Sequence, residues 1–213
     1  MKIRLDNIRP EYILPERIEG SGIWGTDVEL DAGTCIMIHA PSGSGKTTLI
    51  QILYGLRANY TGKVELEGKA LADFSISEKA GLRQKKFSVV FQDLRLFMKA
   101  TGWENIQLNS ALSPVHSETE LRDMAAALGM ADKLDRPVST LSQGERQRIA
   151  IVRSLAQPFD WIFLDEPFSH LDEGNIAKAR ELILNAAKER SAGILLAGLG
   201  YDYGFPAIKT LEL

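Results

Sequence analysis

Four things are scarce in this sequence, and each scarcity removes a class of function. Cysteine occurs once, at Cys35. A lone thiol forms no intrachain disulfide and no cysteine-cluster metal site, and it fits a reducing compartment. No apolar run approaches the roughly 18 residues needed to span a bilayer. The opening Met1-Lys2-Ile3-Arg4-Leu5-Asp6 puts charges where the apolar stretch of a secretion signal would run. The expectation is therefore a soluble, cytoplasmic chain, with any membrane crossing done by another polypeptide. Positive charge is in deficit, 25 Lys and Arg against 28 Asp and Glu for a net −3. That argues against a nucleic-acid surface or a polybasic anchor. Histidine is the fourth: only His39, His116 and His170 are present.

What remains has globular proportions. The 213 residues are 45% hydrophobic and 25% charged, enough for one domain with a substantial core. Lys2 to Ile8 alternates apolar and charged residues like a strand, and Thr26 to Leu30 does so more weakly. Pro10, Pro15, Gly20, Gly22 and Gly25 mark turns between them. Thr34 to His39 is a dense apolar run typical of a buried parallel strand. A helical pattern carrying Leu49, Ile52, Leu53 and Leu56 follows, then a hairpin-like Lys63 to Gly68 and a strand at Phe87 to Phe91. From about Gly102 to Ala156 the pattern is helical, with Ser117 to Glu120 as a capping box. Trp161 to Leu164 predicts a buried strand, Glu173 to Glu189 a helix, and Ile194 to Ala197 and Ile208 to Leu213 the last strands. The fold class expected is α/β with a mainly parallel central sheet.

Two segments carry chemistry. Strand, then Ser42-Gly43-Ser44-Gly45-Lys46-Thr47-Thr48, then helix is a phosphate-loop arrangement. Glycines let backbone N–H groups turn inward around phosphates, and the helix N-terminus adds positive potential. Lys46 would reach the β- and γ-phosphates, and the Thr47 hydroxyl would ligand Mg²⁺. Ala40 stands where the pattern has its first glycine. The second segment is Trp161 to Glu166, an apolar strand ending in two carboxylates. Asp165 would support Mg²⁺, a hard cation that wants oxygen ligands. Glu166 would act as general base on the attacking water.

Leu141-Ser142-Gln143-Gly144-Glu145-Arg146-Gln147-Arg148 resembles the LSGGQ signature of ABC ATPases. The form ending Glu-Arg-Gln-Arg is most like the lipoprotein-releasing, macrolide-export and cell-division branch. Ser142 and Glu145 also read as a capping box, and both readings hold together. The resemblance extends over nearly the whole chain. It implies a P-loop ATPase core, an N-terminal antiparallel β subdomain and an inserted helical subdomain at about residues 93–156, all in one domain, 1–213. It further implies that Ser142 and Gly144 face the γ-phosphate bound by a partner subunit, with Gln143 in place of a family glycine. Tyr12 falls where the family has an adenine-stacking aromatic, although a lone tyrosine near prolines also suits surface packing. Gln92, in Phe91-Gln92-Asp93, resembles the glutamine that touches Mg²⁺ and the attacking water. Ser169-His170-Leu171-Asp172 looks like the loop that crosses the dimer interface.

The implied protein is the ATP-binding, ATP-hydrolysing subunit of a transporter. It would pair with a second copy or another ABC subunit around Mg-ATP and drive an integral membrane permease, in export or mechanotransmission. The permease would meet the region Asp93 to Thr101, where Leu94, Leu96, Phe97 and Met98 form an apolar group; burial of those four inside the helical subdomain is the competing reading. Arg83-Gln84-Lys85-Lys86 reads as a solvated face, and Arg146, Arg148 and Arg153 as salt-bridge partners of neighbouring elements. DNA-repair and translational ABC proteins carry coiled coils, zinc modules or a second cassette, none of which fits here, so no nucleic acid is expected.

One family feature is missing. A switch histidine should follow the strand after Asp172, yet no histidine lies beyond His170. Ungapped counting puts Leu199 at its position, and matching Gly200-Tyr201-Asp202 to the usual Thr-His-Asp gives Tyr201. One γ-phosphate donor is therefore absent, a loss that typically costs roughly 10²–10³ in rate. Slow hydrolysis is expected; the alternative is a nucleotide-gated regulatory protein with little turnover.

Overall fold

The computed structural model describes residues 1–206 and 209–213. Ile208, the expected start of the last strand, lies outside the described residues.

Two sheets organise the chain. In the first, β1 (Ile3–Pro10) pairs antiparallel with β2 (Val28–Leu30) on one side and β4 (Tyr60–Leu66) on the other, and β4 turns back into the short β5 (Lys69–Ala70). Its strands alternate buried and exposed residues, because one face packs inward and the other meets water. The register slips between Asp6 and Arg9, where Asn7 takes φ 47°. Gly62 passes so close that a Cβ there would sit 2.3 Å from the Asn7 carbonyl oxygen. Only glycine fits opposite this bulge.

The second sheet is parallel throughout, in the order β6 (Phe87–Val90), β7 (Trp161–Asp165), β8 (Gly193–Gly198), β3 (Cys35–His39), β9 (Lys209–Glu212). Its inner strands are buried on both faces, as their continuous apolar runs require. Alternate residues feed two cores. Met37, Ile162, Leu164 and Leu196 face a helical layer built from α4 (Gly102–Leu112), α5 (Glu118–Ala127), α6 (Gln143–Leu155) and α7 (Glu173–Arg190). Ile38, Trp161, Phe163 and Leu195 face α2 (Lys46–Leu53) and the antiparallel sheet. Strand β8 therefore separates the ends of β3 and β7, leaving a crevice at their carboxyl edges, where open α/β sheets bind ligands.

Two expectations need correction. Helix α2 stops before Gly55, which takes φ 71°, so Leu56 lies outside it and 46% exposed rather than on its apolar face. Helix α3 (Ile76–Lys85) was not expected at all. It buries no residue, so the apolar period that signals a helix is missing; a Ser75–Glu78 capping box starts it instead. Lys85 and Lys86 at its end are exposed, but Arg83 and Gln84 are half-buried, with the Gln84 amide donating to the Leu112 carbonyl at 2.6 Å, so the solvated-face reading holds for only half of that run. The Ser117–Glu120 capping box is present, and Thr101–Glu104 and Ser142–Glu145 make two more. Among the described residues no helix is long and apolar enough to cross a membrane.

Candidate active site

After β3 the chain turns through Gly43 and Gly45, at φ 75° and 109°, before entering α2. These left-handed positions curl the loop into a cup, at little cost to glycine. Lys46 is 95% buried there. Its ammonium donates to the Ala40 carbonyl at 2.9 Å and the Pro41 carbonyl at 3.1 Å, and lies 3.3 Å from Glu166 Oε1. From β7, Asp165 Oδ2 accepts the Thr47 hydroxyl at 2.7 Å. Its other oxygen, Oδ1, is buried with no partner, and burial holds the carboxyl above its ordinary value. Glu166 follows at φ 48°, its N–H donating to the Ala197 carbonyl at 2.9 Å. That bond and the turn aim its carboxylate back toward Lys46. Gln92 Nε2 reaches Glu166 Oε2 at 3.4 Å.

The result is a cleft of about 280 Å³ lined by Ser42, Gly43, Gly45, Lys46, Thr47, Thr48, Gln92 and Glu166. Every residue expected to surround phosphate or Mg²⁺ therefore converges here, with two exceptions of position. Ser44 turns its hydroxyl to the Pro41 carbonyl, and Asp165 lies beneath Thr47. The donor set suits a divalent cation only in part. Among the described residues no group of three or more His, Cys, Asp or Glu could hold a metal alone. A hard cation at Thr47 and the unpartnered Asp165 oxygen must complete its shell with phosphate oxygens and water.

Three expected contributors stand elsewhere. Ser142 caps α6, accepting the Glu145 N–H at 3.3 Å, while Glu145 accepts the Ser142 N–H at 2.8 Å and pairs with Lys133. Lys133 first, then that backbone N–H, holds the Glu145 carboxyl down at about 2. Gly144 abuts the loop after Glu166: a Cβ there would lie 2.6 Å from the His170 carbonyl. Neither Ser142 nor Gly144 lines the cleft within one copy of the chain. Tyr12 is 66% exposed, and the Arg57 guanidinium lies 5.5 Å from its ring centroid.

Comparison with known proteins agrees with this arrangement. The ABC transporter family model matches residues 24–169. The chain belongs to the ABC transporter family. It is 30% identical over 176 residues to the lipoprotein-releasing system ATP-binding protein LolD of Novosphingobium aromaticivorans, covering 81% of this chain and 79% of that one. It is 32% identical over 197 residues to the macrolide export ATP-binding/permease protein MacB of Nitrosomonas europaea, covering 91% of this chain but 30% of that longer protein. A dimeric post-hydrolysis structure of the ATP-binding cassette MJ0796 bound to ADP and Pi superposes with a TM-score of 0.76 at 26% identity, covering 92% of this chain and 87% of that one.

Within this ABC chain, the contacts of Gln147 and Asn105 had no signal in the sequence, and those of three arginines differ from expectation. Gln147, buried on α6, donates to the Glu166 carbonyl at 3.3 Å and the Ser169 hydroxyl at 3.4 Å, and accepts the His170 N–H at 3.0 Å. Asn105, fully buried, accepts the Phe97 N–H at 2.8 Å and donates to the Phe97 and Thr101 carbonyls at 3.1 and 2.9 Å. Arg153 donates to the Arg95 and Leu94 carbonyls at 2.7 and 2.5 Å, fixing two successive residues at φ 46° and 57°. Arg146 and Arg148 likewise bond carbonyls, of Val138 and Ser139 and of Leu128. None of these three arginines has a carboxylate partner among the described residues, which corrects the salt-bridge expectation.

The apolar group after Gln92 divides. Leu94 is buried and Leu96 half-buried against the helical core, while Phe97 is 62% and Met98 40% exposed. The burial reading thus holds for Leu94 and Leu96, while Phe97 and Met98 reach the surface. As for the missing histidine, Leu199 and Tyr201 are 52% and 69% exposed, and no histidine lines the cleft. The ring of His39 sits against Gly200 and bonds Glu212 at 3.1 Å. Nearer the chemistry is Tyr203, half-buried with its ring 5.0 Å from that of Phe168. Burial, then the Glu166 charge, pushes its phenol up.

Proposed function

We propose that this chain is the ATPase subunit of a membrane transporter, hydrolysing Mg-ATP sandwiched between two copies, or between one copy and another ABC subunit. It works as one domain, residues 1–213, whose helical part at about 93–156 meets the permease. The observation that carries the reading is the cleft itself, where Lys46, Thr47, Gln92 and Glu166 converge above a buried Asp165 oxygen without a partner. Lys46 and the loop amides of Ser42 to Thr48 hold the phosphates. Thr47, Gln92 and Asp165 would hold Mg²⁺, which when bound would neutralise charge on the phosphate chain. Glu166 takes the proton of the attacking water, and Gln92 orients that water.

Ser142 and Gly144 stand outside their own cleft, which suits the reading that they close the cleft of a partner. At a helix start where the N–H groups of Gln143 and Gly144 lie outside the capping box, they favour an anion. Tyr12 stacks on adenine once Arg57 yields the ring face. Phe97 and Met98 offer the permease an apolar contact, and the chain sits at the inner face of the membrane through it. Resemblance to the LolD and MacB branch favours export or mechanotransmission. With no histidine at the cleft, turnover is slow rather than absent, because Glu166 remains.

Phosphate release by the purified chain with its permease tests this. Glu166→Gln lowers the rate by about 10²-fold or more. Equal rates for the two proteins overturn the enzyme reading and leave a nucleotide-gated regulator.

A further inference from the structure

The outer side of the phosphate loop is strapped down by residues 13–18, which end in the single turn α1 (Pro15–Ile18). Ile13 lies so close that a Cβ on Gly45 would come 2.5 Å from its Cδ1. Trp24 closes the next flank, donating from its indole to the Ser44 carbonyl at 3.3 Å. From α1, Arg17 donates through Nη1 to the Gly43 carbonyl. Among the described residues Arg17 has no carboxylate partner, whereas the charge of Lys46 is shared with Glu166.

That single bond has a geometric effect. In a planar trans peptide the carbonyl and the following N–H point in opposite directions. Holding the Gly43 carbonyl outward therefore turns the Ser44 N–H inward. There its partner is the Pro41 carbonyl, at a long 3.4 Å. The same oxygen also accepts the Ser44 hydroxyl at 2.9 Å and Lys46 at 3.1 Å. Three donors on an oxygen with two lone pairs are more than it can satisfy. The inward N–H is left short of an acceptor, and an anionic oxygen in the cup would supply one.

We propose that Arg17 is a second cation of the nucleotide site, one that positions the Gly43–Ser44 peptide for phosphate and adds its own charge to the rim. The proposal rests on the nucleotide reading above. It identifies the ligand group concerned as a polyphosphate chain rather than the base. Arg17 acts through the backbone and through space, and contributes to affinity and not to the hydrolytic step.

The test is calorimetric titration of the full chain with ATP and with inorganic tripolyphosphate, for the wild type, Arg17→Ala and Arg17→Lys. Arg17→Ala is expected to weaken both ligands by roughly tenfold, the worth of one charge-assisted contact. It should also flatten the dependence of log Kd on log salt. Arg17→Lys should recover the salt slope and most of the affinity. Circular dichroism and melting curves check that each variant is folded; if Arg17→Ala is not, the lysine variant and Arg17→Gln decide between charge and packing. Unchanged affinity in Arg17→Ala overturns the proposal. So does a loss for ATP with none for tripolyphosphate, which would place the strap's effect on the nucleoside. If the wild type itself binds neither ligand, the nucleotide reading fails, and this inference falls with it.

Discussion

Replacing Asp165 with asparagine should stabilise the nucleotide-free chain while removing its response to magnesium. The carboxylate is fully buried, with one oxygen on Thr47 and the other on nothing. Burial lifts its pKa above 3.8, and the charges of Glu166 and Asp93 push in the same direction, against the Thr47 hydrogen bond and then Lys46. The sign follows. In the folded chain the proton is held more tightly than in the unfolded chain, so stability falls as pH rises from 3.8 to the raised folded value. At neutral pH the ionised group is a standing cost. An unpartnered buried polar atom costs about 1–3 kcal/mol. Asparagine keeps an oxygen for Thr47 and removes the charge, although its amide N–H groups inherit the unpartnered position, so a net gain of about 1 kcal/mol is expected, or roughly 2–4 °C in Tm for a chain of this size.

Melting curves in EDTA at pH 7 read this gain. The advantage should disappear below pH 3.8, where the wild-type carboxyl is protonated in both states. With Mg-ATP at a hundred times its Kd the wild type gains about 2.7 kcal/mol, and the order of the two proteins reverses. If Asp165→Asn melts at or below the wild type without nucleotide, the carboxylate is not the strained group described here.

Three further outcomes follow from the geometry. Phe97→Asp should leave the urea midpoint within about 0.5 kcal/mol while reducing recovery of the chain with its membranes; Leu94→Asp, which buries a charge, should cost about 3 kcal/mol or more. Gly144→Ala drives a methyl into the His170 carbonyl; it should cost about 1–3 kcal/mol and abolish ATP-dependent dimerisation of the Glu166→Gln chain in size-exclusion chromatography. Glu145→Gln should cost about 1 kcal/mol at pH 7 after screening by solvent. Because the Glu145 carboxyl is held down, the stability it gives is complete above pH 4.5 and lost toward pH 2; urea midpoints of the two proteins should converge as pH falls through that window.

Most of the cleft was legible in the sequence because its parts lie on punctuated backbone. Glycines at 43 and 45 and an apolar strand ending in Asp165-Glu166 each leave a local pattern, as does the capped helix at Ser142 outside the cleft. The parallel order of the strands followed from their continuous apolar runs. What escaped was held by tertiary contact alone. Gln147 and Asn105 are polar residues inside helices, and no spacing rule distinguishes a buried amide that bonds two or three loop residues from a solvated one. Helix α3 escaped because it has no apolar face. The apolar group after Gln92 could not be divided from sequence: Leu94 and Phe97 are three residues apart and alike in hydrophobicity, but the left-handed turn at Leu94 and Arg95, pinned by Arg153, sends one inward and the other out.

The amide of Gln147 spans the backbone of Glu166 and of His170 with bonds of 3.3 and 3.0 Å. It therefore makes Glu166, the proposed general base, and the segment resembling the dimer-crossing loop a single mechanical unit. A neighbour that displaces that segment by an ångström must either tear those bonds or drag the Glu166 peptide along. Timing between two sites then needs no long relay; it can be set across the width of one side chain.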